Sequence, residues 1–322
     1  MNKHLLNRRQ FGARCAALGL SFPASSALIA AQARAQDLGT GAESNPAPRT
    51  VKFPDGTTVP AVGQGSWHLG QGRHPLSVEE EAMRTGIALG MTVIDTSRNY
   101  GDGRSERFIG RVIAGHRDRV FLVSKVQEDE IVTRAGEETV LAPKGDVITR
   151  LCEQSLARLG TDYLDLYLLH SPVPRRYLSG VVAKFEQLRA AGKIRAWGVS
   201  NFNVDQMEEL FRVPDGHRCA TNQYLYSLRD RAVEHDILPW CQQHNMPVMA
   251  ASPLGGIQFA KTLLGERTLV ELGAMHGCSA AAVALAFVIR SGNVIAIPES
   301  GDPAHVKENA VALSIRWIPA SP

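Results

Sequence analysis

The sequence lacks the features that mark several common classes of protein. None of its apolar runs is long enough to cross a membrane. It has no Walker A loop, and its five cysteines are widely spaced, with no Cys-x-x-Cys pair and no paired histidine nearby. These absences argue against a membrane-spanning protein, a zinc site or other metal centre, and a dithiol redox centre. What remains is an ordinary globular composition, with a length that suits one large domain or two small ones.

A dinucleotide-binding fingerprint is also missing. The one glycine-rich candidate is the run 63–68, GQGSWH, in which His68 stands where the pattern G-x-G-x-x-G requires its third glycine. Gly70, Gly72 and Pro75 follow, where the pattern needs the start of a helix. A doubly wound nucleotide-binding sheet is therefore disfavoured.

The start of the chain has no acidic residue before Asp37. Arg8 and Arg9 precede a phenylalanine and a weakly apolar stretch over 15–31, and residues 33–35 read Ala-Arg-Ala, a cleavage pattern. This arrangement resembles a twin-arginine (Tat) export signal. We therefore predict that residues 1–35 are a removed signal peptide, followed by a linker over 36–50. The mature protein is expected in the periplasm without stable membrane insertion, and the Tat export machinery is the expected partner of the precursor.

Removal of this signal changes the charge of the chain. The sequence has 35 Lys and Arg against 32 Asp and Glu, a formal net charge of +3. Five of the basic residues lie within 1–35, so the mature chain has 30 against 32 and a charge of −2. No nucleic-acid-binding surface is predicted, because the excess of positive charge belongs to the signal. An oxidising compartment permits disulfides, but four buried free thiols are expected: Cys152, Cys219, Cys241 and Cys278.

The remaining chain alternates strand-like and helix-like patterns. A β-hairpin is predicted around Pro54-Asp55-Gly56. Apolar runs then end near Gly65, Asp95, Lys125, His170, Ser200, Gln223, Ala251 and Pro298. Helical patterns lie between them, over Ser77–Leu89, Asp146–Leu159, Leu178–Ala191, Val204–Phe211, Glu234–His244, Leu269–Met275, Ala280–Arg290 and Pro303–Leu313, with a capping box at Ser77 and Glu80. Eight strand–helix units predict an α/β fold, a (β/α)8 TIM barrel over residues 51–322 with an N-terminal β-hairpin.

Four chemically versatile side chains fall at the ends of three successive strands. Asp95 ends the first of these runs, with Tyr100 on the loop after it, Lys125 closes the next, and His170 follows the third. Singly, each has an ordinary structural explanation, such as a cap, a packed ring or a surface lysine. Because active sites of TIM barrels lie at the carboxyl ends of the strands, their joint placement there predicts an active site.

Several motifs in this order resemble those of the aldo-keto reductases, and the resemblance covers nearly the whole mature chain. They are Asp95–Gly101 with Ser105 and Glu106, the strand ending in Lys125, Leu168–His170, Gly198–Phe202, Asn222 with Gln223, Ser252–Leu254, Ile297 with Pro298, and Glu308 with Asn309. The resemblance implies a TIM barrel that binds NADPH, less often NADH, and reduces small aldehydes and ketones to alcohols.

The resemblance also assigns catalytic roles. Hydride transfer to a carbonyl leaves negative charge on its oxygen, so an acid must supply a proton there. Tyr100 is the implied acid, Lys125 is expected to lower its pKa, and Asp95 to hold the lysine. His170 is expected to donate to the substrate oxygen and align it. Trp67 is expected to wall the substrate pocket.

Eleven residues are expected around the cofactor by the same resemblance. Ser200, Asn201 and Gln223 would hold the nicotinamide carboxamide, with Ser66 near the ribose; Ser252 and Leu254 would line the pyrophosphate; Glu299, Ser300, His305, Glu308 and Asn309 would surround the adenosine. Ala251 departs from the family pattern, which often has an aromatic there, and Glu299 and His305 replace a lysine and an arginine that grip the 2′-phosphate of NADPH. NADH is therefore expected to be used at least as well as NADPH.

Two other functions remain open from the sequence. A nucleotide-binding barrel without turnover would act as a sensor or regulatory subunit. A Schiff-base aldolase or isomerase would use Lys125, but would leave Tyr100 and the Ser200-Asn201 pair unexplained. The physiological substrate is not determined. Because the chain ends soon after Trp317, an open pocket for small aldehydes, keto-sugars or dicarbonyls is expected.

Overall fold

The computed structural model describes residues 48–127, residue 131 and residues 146–315. The predicted signal peptide and most of the predicted linker lie outside the described residues. Within the described part of the chain, eight parallel strands follow one another around a sheet in sequence order. They are β3 (Gln64–Gly65), β4 (Val93–Asp95), β5 (Phe121–Val126), β6 (Leu164–Leu169), β7 (Ile194–Ser200), β8 (Asn222–Leu225), β9 (Val248–Ala251) and β10 (Val294–Ile297).

Two isolated parallel bridges, Val62 with Ala296 and Gly65 with Glu299, join the first strand to the last and bring the sheet round into a barrel. Helices lie between the strands, and one more follows the last strand: α1 (Leu76–Ala88), α2 (Arg104–Ile113), α3 (Val147–Leu159), α4 (Arg175–Ala190), α5 (Val204–Arg212), α6 (Ile237–Gln243), α7 (Gly256–Leu264), α8 (Arg267–Met275), α9 (Ala280–Val288) and, after β10, α10 (Pro303–Ala310). The predicted (β/α)8 TIM barrel is confirmed.

The core lies between the strands and the helices that surround them. All six residues of β6 are buried, as expected for a parallel strand covered on both faces. Each buried leucine of this strand contributes about 1.5–3 kcal/mol. Asp165, the one acid in the strand, accepts hydrogen bonds from Arg117 Nη2 at 2.8 Å, Arg195 Nη1 at 2.9 Å and Leu122 N at 2.9 Å. The buried carboxylate is therefore fully partnered.

The predicted hairpin covers the amino-terminal end of the barrel. Its strands β1 (Thr50–Lys52) and β2 (Thr58–Pro60) pair antiparallel. Phe53, just past β1, stacks on Phe121 with ring centroids 5.2 Å apart. Since Phe121 is the first residue of β5, the hairpin lies against the end of the barrel where the strands begin. The carboxyl end is left for the site.

Some helix boundaries differ from the sequence-based expectations. The capping box predicted at Ser77 is wrong: α1 begins at Leu76 after Pro75, and no side chain caps it. Proline fixes φ near the helical value and so starts the helix one residue earlier. The helix predicted to begin at Leu178 begins at Arg175. The helix predicted from Glu234 begins at Ile237, after a short 3₁₀ turn. Helices α2 and α7 have no counterpart among the predicted ones.

No single helix among the described residues is long and apolar enough to cross a membrane; one bent pair, α8 with α9, passes that test of length and composition together. Eight of the nine residues of α9 are buried against the rest of the protein.

The four cysteines among the described residues are free thiols. Cys152, Cys219 and Cys241 are buried, whereas Cys278 is only half-buried, contrary to the expectation of burial for all four. Burial raises the pKa of each of the first three to about 12. It also raises the pKa of Cys278 above its usual value.

Replacement of Gly86 by alanine tests the packing of α1 on the barrel. Gln64 lies beneath this glycine and donates from Nε2 to Met83 O at 3.1 Å and Met91 O at 3.0 Å. An added Cβ at Gly86 would lie 2.1 Å from Gln64 Oε1. Although alanine favours helices, we expect Gly86→Ala to reduce the free energy of unfolding by about 1–3 kcal/mol, because the core is overpacked there.

Urea denaturation measures this change. Thr85→Ala, at the neighbouring half-buried position, is the matched control and is expected to shift stability by less than about 0.5 kcal/mol. A Gly86→Ala variant as stable as the unmodified protein would show that Gln64 moves aside without cost.

Candidate active site

The barrel topology brings the four predicted catalytic residues together. Asp95 is the last residue of β4, Lys125 lies one residue before the end of β5, and His170 directly follows β6. Tyr100 lies on the turn between β4 and α2, where Ser105 N donates to Tyr100 O at 3.3 Å. These strands are neighbours and run parallel, so their carboxyl ends present all four side chains at one mouth.

Lys125 is the buried centre of this group. Its Nζ donates to Asp95 Oδ1 at 2.5 Å, to Thr96 O at 3.0 Å and to Tyr100 Oη at 3.2 Å. An ammonium has three donors, so all three are in use. The side chain is completely buried, and such a charge is tolerated only when it is paired and hydrogen-bonded. The contact with Tyr100 Oη therefore comes from a group with little freedom to move.

Asp95 is held on both carboxylate oxygens. While Oδ1 accepts from Lys125, Oδ2 accepts from Gln223 Nε2 at 2.8 Å, from across the barrel on β8. The other contact of that amide nitrogen is with the Met249 sulfur at 3.9 Å. The amide of Gln223 can thus offer its oxygen to a ligand.

The pKa values at this centre differ from expectation in one respect. Burial alone would lower the pKa of Lys125, but Asp95 and Tyr100 raise it above its usual range, so the amine stays protonated. Burial raises the pKa of Tyr100, and the lowering effect of the Lys125 charge does not offset it. Lys125 thus lowers the pKa of Tyr100, as expected, but in the resting site burial outweighs this effect and the net shift is upward. A protonated, fully bonded Lys125 also disfavours the Schiff-base alternative, which needs a free amine.

His170 is neutral and has a defined tautomer. Burial, with a further effect from the charge of Lys125, lowers its pKa to about 3. Gln127 Nε2 lies 3.0 Å from His170 Nδ1. An amide nitrogen only donates, so Nδ1 accepts and the ring proton is on Nε2. The ring lies edge-on to Tyr100, with centroids 6.0 Å apart. His170 can therefore donate one hydrogen bond beside the phenol.

A cavity of about 800 Å³ opens at this mouth of the barrel. One end of the cavity is lined by Asp95, Tyr100, His170 and Trp67. Lys125 lies behind these residues and does not line the cavity. The Trp67 ring is 6.2 Å from that of Tyr100 and 55% of the residue is exposed. All eleven predicted cofactor residues line the cavity: Ser66, Ser200, Asn201, Gln223, Ser252, Leu254, Glu299, Ser300, His305, Glu308 and Asn309.

The middle of the cavity suits the polar parts of a dinucleotide. Asn201 adopts a positive φ of 63° and donates from Nδ2 to His170 O at 3.2 Å, which fixes its amide beside the catalytic group. Farther along, α7 begins at Gly256, and Ser252, Leu254 and Gly256 line the cavity. The first N–H groups of a helix lack intrahelical partners and favour anions. A pyrophosphate fits this position.

Ser66, which is expected close to the ribose, lies in the wall of the cavity. The residue borders the cavity but has no exposed surface. Its hydroxyl donates to Asp95 O at 2.9 Å, and Ser105 Oγ lies 2.9 Å away. The side chain holds the loop that carries Tyr100.

Three partners of the site were missed by sequence reasoning. Gln127 fixes His170, and its position two residues after Lys125 is a signal, because residues i and i+2 of a strand share a face. The other two are His68 and Arg73, which surround Glu299. His68 N donates to Glu299 Oε2 at 2.8 Å, His68 Nδ1 lies 2.9 Å from Oε1, and Arg73 Nη1 lies 3.8 Å from Oε1. They lie far from Glu299 in sequence, so no local pattern reveals these contacts.

The chain belongs to the aldo/keto reductase family, whose model matches residues 61–319. It is 44% identical over 268 residues to the methylglyoxal reductase YeaE of Escherichia coli (strain K12), covering 83% of this chain and 90% of the relative. An aldo/keto reductase from Klebsiella pneumoniae, solved with NADP and acetate, is 43% identical with a TM-score of 0.76, covering 84% of this chain and 91% of that one. The NADH-specific methylglyoxal reductase of E. coli is 28% identical over 314 residues, covering 82% of this chain and 94% of the relative.

The protein is therefore an NAD(P)H-dependent oxidoreductase, which transfers a hydride between a nicotinamide cofactor and a small aldehyde or ketone. The cavity described above accommodates that cofactor. The alternative of a barrel that binds a nucleotide without turnover is not supported.

Acidification should destabilise the folded protein through His170. In the unfolded chain a histidine takes up a proton below a pKa of about 6.5, whereas in the fold His170 does so only near 3. Between these values the unfolded state holds one more proton, so the free energy of unfolding falls as the pH falls. From pH 7 to pH 5 this loss is about 2 kcal/mol.

Urea denaturation of the unmodified protein and of His170→Asn at several pH values measures this effect. The variant should lose less stability on acidification. His217→Asn, at an exposed histidine, is the control and should keep the pH dependence of the unmodified protein. Equal pH dependence in the unmodified protein and His170→Asn would contradict the assignment.

Proposed function

We propose that Tyr100 is the general acid of carbonyl reduction, with Lys125 and Asp95 tuning it and His170 aligning the substrate. The observation that carries this proposal is the buried Lys125 ammonium, bonded at once to the Asp95 carboxylate and the Tyr100 hydroxyl. Such an arrangement stabilises negative charge on the phenol oxygen as its proton leaves.

The residues divide the task as follows. Bound NAD(P)H supplies the hydride. Tyr100 Oη gives its proton to the carbonyl oxygen as that oxygen gains charge. In the resting site the tyrosine stays protonated, since burial raises its pKa. The ammonium of Lys125 does not need to move to stabilise the phenolate, because it is already 3.2 Å away. His170 Nε2 donates to the same oxygen and orients the carbonyl.

The substrate class that we propose is a small α-dicarbonyl or a small aldehyde. Two relatives at 44% and 28% identity bear the name methylglyoxal reductase. A second carbonyl beside the reacting one withdraws electrons and makes the carbon a better hydride acceptor. Trp67 and Leu225, which are 55% and 44% exposed, give the cavity apolar walls at its mouth. These walls suit a compact carbonyl compound.

Replacement of Tyr100 by phenylalanine tests the acid. We expect kcat/KM for methylglyoxal to fall at least about 100-fold, because the proton donor is lost. The Kd for NAD(P)H should change little, since the ring is retained. Steady-state kinetics and fluorescence titration of the bound dinucleotide measure the two quantities.

Tyr224→Phe is the matched control for that substitution. Tyr224 also lies at a carboxyl strand end, on β8, but does not line the cavity. Its variant should keep the activity of the unmodified protein. Full activity in Tyr100→Phe would remove this tyrosine from the mechanism.

We propose further that the protein acts in the periplasm after Tat export. The twin arginine, the weakly apolar stretch and the Ala-Arg-Ala pattern over 33–35 support this. A reductase that needs a dinucleotide also suits a route that carries folded, loaded proteins, because free nicotinamide cofactor is expected to be scarce outside the cytoplasm.

Replacement of Arg8 and Arg9 together by lysine should leave the precursor in the cytoplasm. Cell fractionation with immunoblotting measures the distribution, and sequencing of the exported protein should find its N-terminus near Gln36. Arg14→Lys is the control and should be exported normally. Normal processing of the double variant would contradict the Tat route.

A further inference from the structure

Glu299 lies close to the catalytic end of the cavity. Its backbone forms a parallel bridge with Gly65, and Gly65 in turn pairs with Asp95 in the register of β3 and β4. Because neighbouring strands are about 4.8 Å apart, the chain at Glu299 runs roughly 10 Å from Asp95. The charge of Glu299 is also one of the influences that raise the pKa of Tyr100. The carboxylate is therefore a neighbour of the catalytic group.

This one carboxylate holds His68 at two points. His68 N donates to Glu299 Oε2 at 2.8 Å, and His68 Nδ1 lies 2.9 Å from Oε1. A carboxylate oxygen only accepts, so Nδ1 carries a hydrogen whether or not the ring is charged. The side chains of His68 and Glu299 are 19% and 22% exposed, which limits the competition from water. The backbone and the ring of His68 are thus fixed together.

The ring of His68 supports that of Trp67. The two rings stack with centroids 4.6 Å apart and an angle of 29° between their planes. A second aromatic neighbour of Trp67 is Tyr100, whose ring centroid is 6.2 Å away. Trp67 follows β3 and is largely exposed, and an exposed side chain keeps one rotamer only where its contacts favour that rotamer. The stack on His68 supplies such a contact.

Trp67 lies where the substrate binds in the proposed function. It lines the same end of the cavity as Tyr100 and His170. A carbonyl compound whose oxygen meets these two residues has its remaining part near the indole. Aromatic groups stack best in a defined, offset geometry. A fixed indole therefore favours substrates with a flat apolar group more than a mobile indole does.

We propose that Glu299 and His68 are positioning residues, which hold the Trp67 indole beside Tyr100 and so favour carbonyl compounds with a flat apolar group next to the reacting carbonyl. The Glu299 carboxylate acts through His68 and does not need to touch the substrate. This inference rests on the proposed function, because it requires the substrate to react at Tyr100.

Fluorine NMR measures the placement of Trp67 without turnover. The protein is labelled with fluorotryptophan, and Trp67→Phe identifies the Trp67 resonance. In Glu299→Ala and in His68→Ala this resonance should move toward the chemical shift of free fluorotryptophan, because the indole is no longer held. Glu299→Gln keeps one acceptor oxygen and should move the resonance less than Glu299→Ala.

Steady-state kinetics with phenylglyoxal and methylglyoxal measure the effect on specificity. The two dicarbonyls differ in the group beside the carbonyl, a flat ring in one and a methyl group in the other. In Glu299→Ala the ratio of kcat/KM for phenylglyoxal to that for methylglyoxal should fall about 3-fold or more, because stacking on the indole is weakened. The fall should appear in KM for phenylglyoxal rather than in kcat, since a binding contact is lost. His68→Ala should lower the ratio in the same way.

Glu81→Ala is the matched control. It removes a carboxylate at an exposed position of α1 outside the cavity lining, and it should change neither the Trp67 resonance nor the ratio.

An unmoved Trp67 resonance in His68→Ala and Glu299→Gln would overturn the proposal, even if Glu299→Ala failed to fold. An equal loss of activity toward both dicarbonyls would also overturn it, because Glu299 would then act on something other than the substrate wall. A Trp67 resonance that moves as expected in a protein that reduces no carbonyl would instead contradict the proposed function, while supporting the placement of Trp67 by Glu299 and His68.

Discussion

The site depends on one buried positive charge. The Lys125 ammonium has no exposed surface, and an unpaired charge in such a place costs many kcal/mol. Its stability in the fold therefore requires that Asp95, Thr96 and Tyr100 stay where they are. The same requirement that keeps the interior stable keeps a charge 3.2 Å from the phenol oxygen. The contacts that stabilise the buried Lys125 are therefore the same contacts that preorganise the site for catalysis.

Strand alternation extends this constraint to the outer layer. Lys125 points into the barrel mouth, so Ser124 points outward, where its hydroxyl donates to Glu106 on α2 at 2.7 Å. Glu106, also without exposed surface, accepts from Arg158 Nε on α3 at 2.5 Å. Strand β5 is thus anchored on both faces by buried ionic groups. A shift of its register by one residue would disrupt both sets of contacts at once.

Most of the barrel and the placement of its site were predictable from the sequence, because apolar runs and the polar residues that end them are local signals. The strand ends at Asp95, Lys125 and His170 are examples. The start of α1 was misplaced since the constraint of Pro75 outweighed a side-chain cap at Ser77. The lowering effect of Lys125 on the pKa of Tyr100 was predictable, but the larger opposing effect of burial was not, because desolvation depends on every neighbouring atom. The contacts of His68 with Glu299 join residues 231 apart, which no local pattern encodes.

The buried cysteines bear on how long the protein stays chemically intact. A thiol reacts with oxidants and disulfides as its thiolate. With a pKa of about 12, only about one in 10⁵ of the Cys152, Cys219 and Cys241 side chains is ionised at neutral pH. Burial also keeps peroxides and small disulfides from reaching them. These three thiols should therefore react little with oxidants, and among the cysteines of the described residues the half-buried Cys278 is the one most accessible to oxidation.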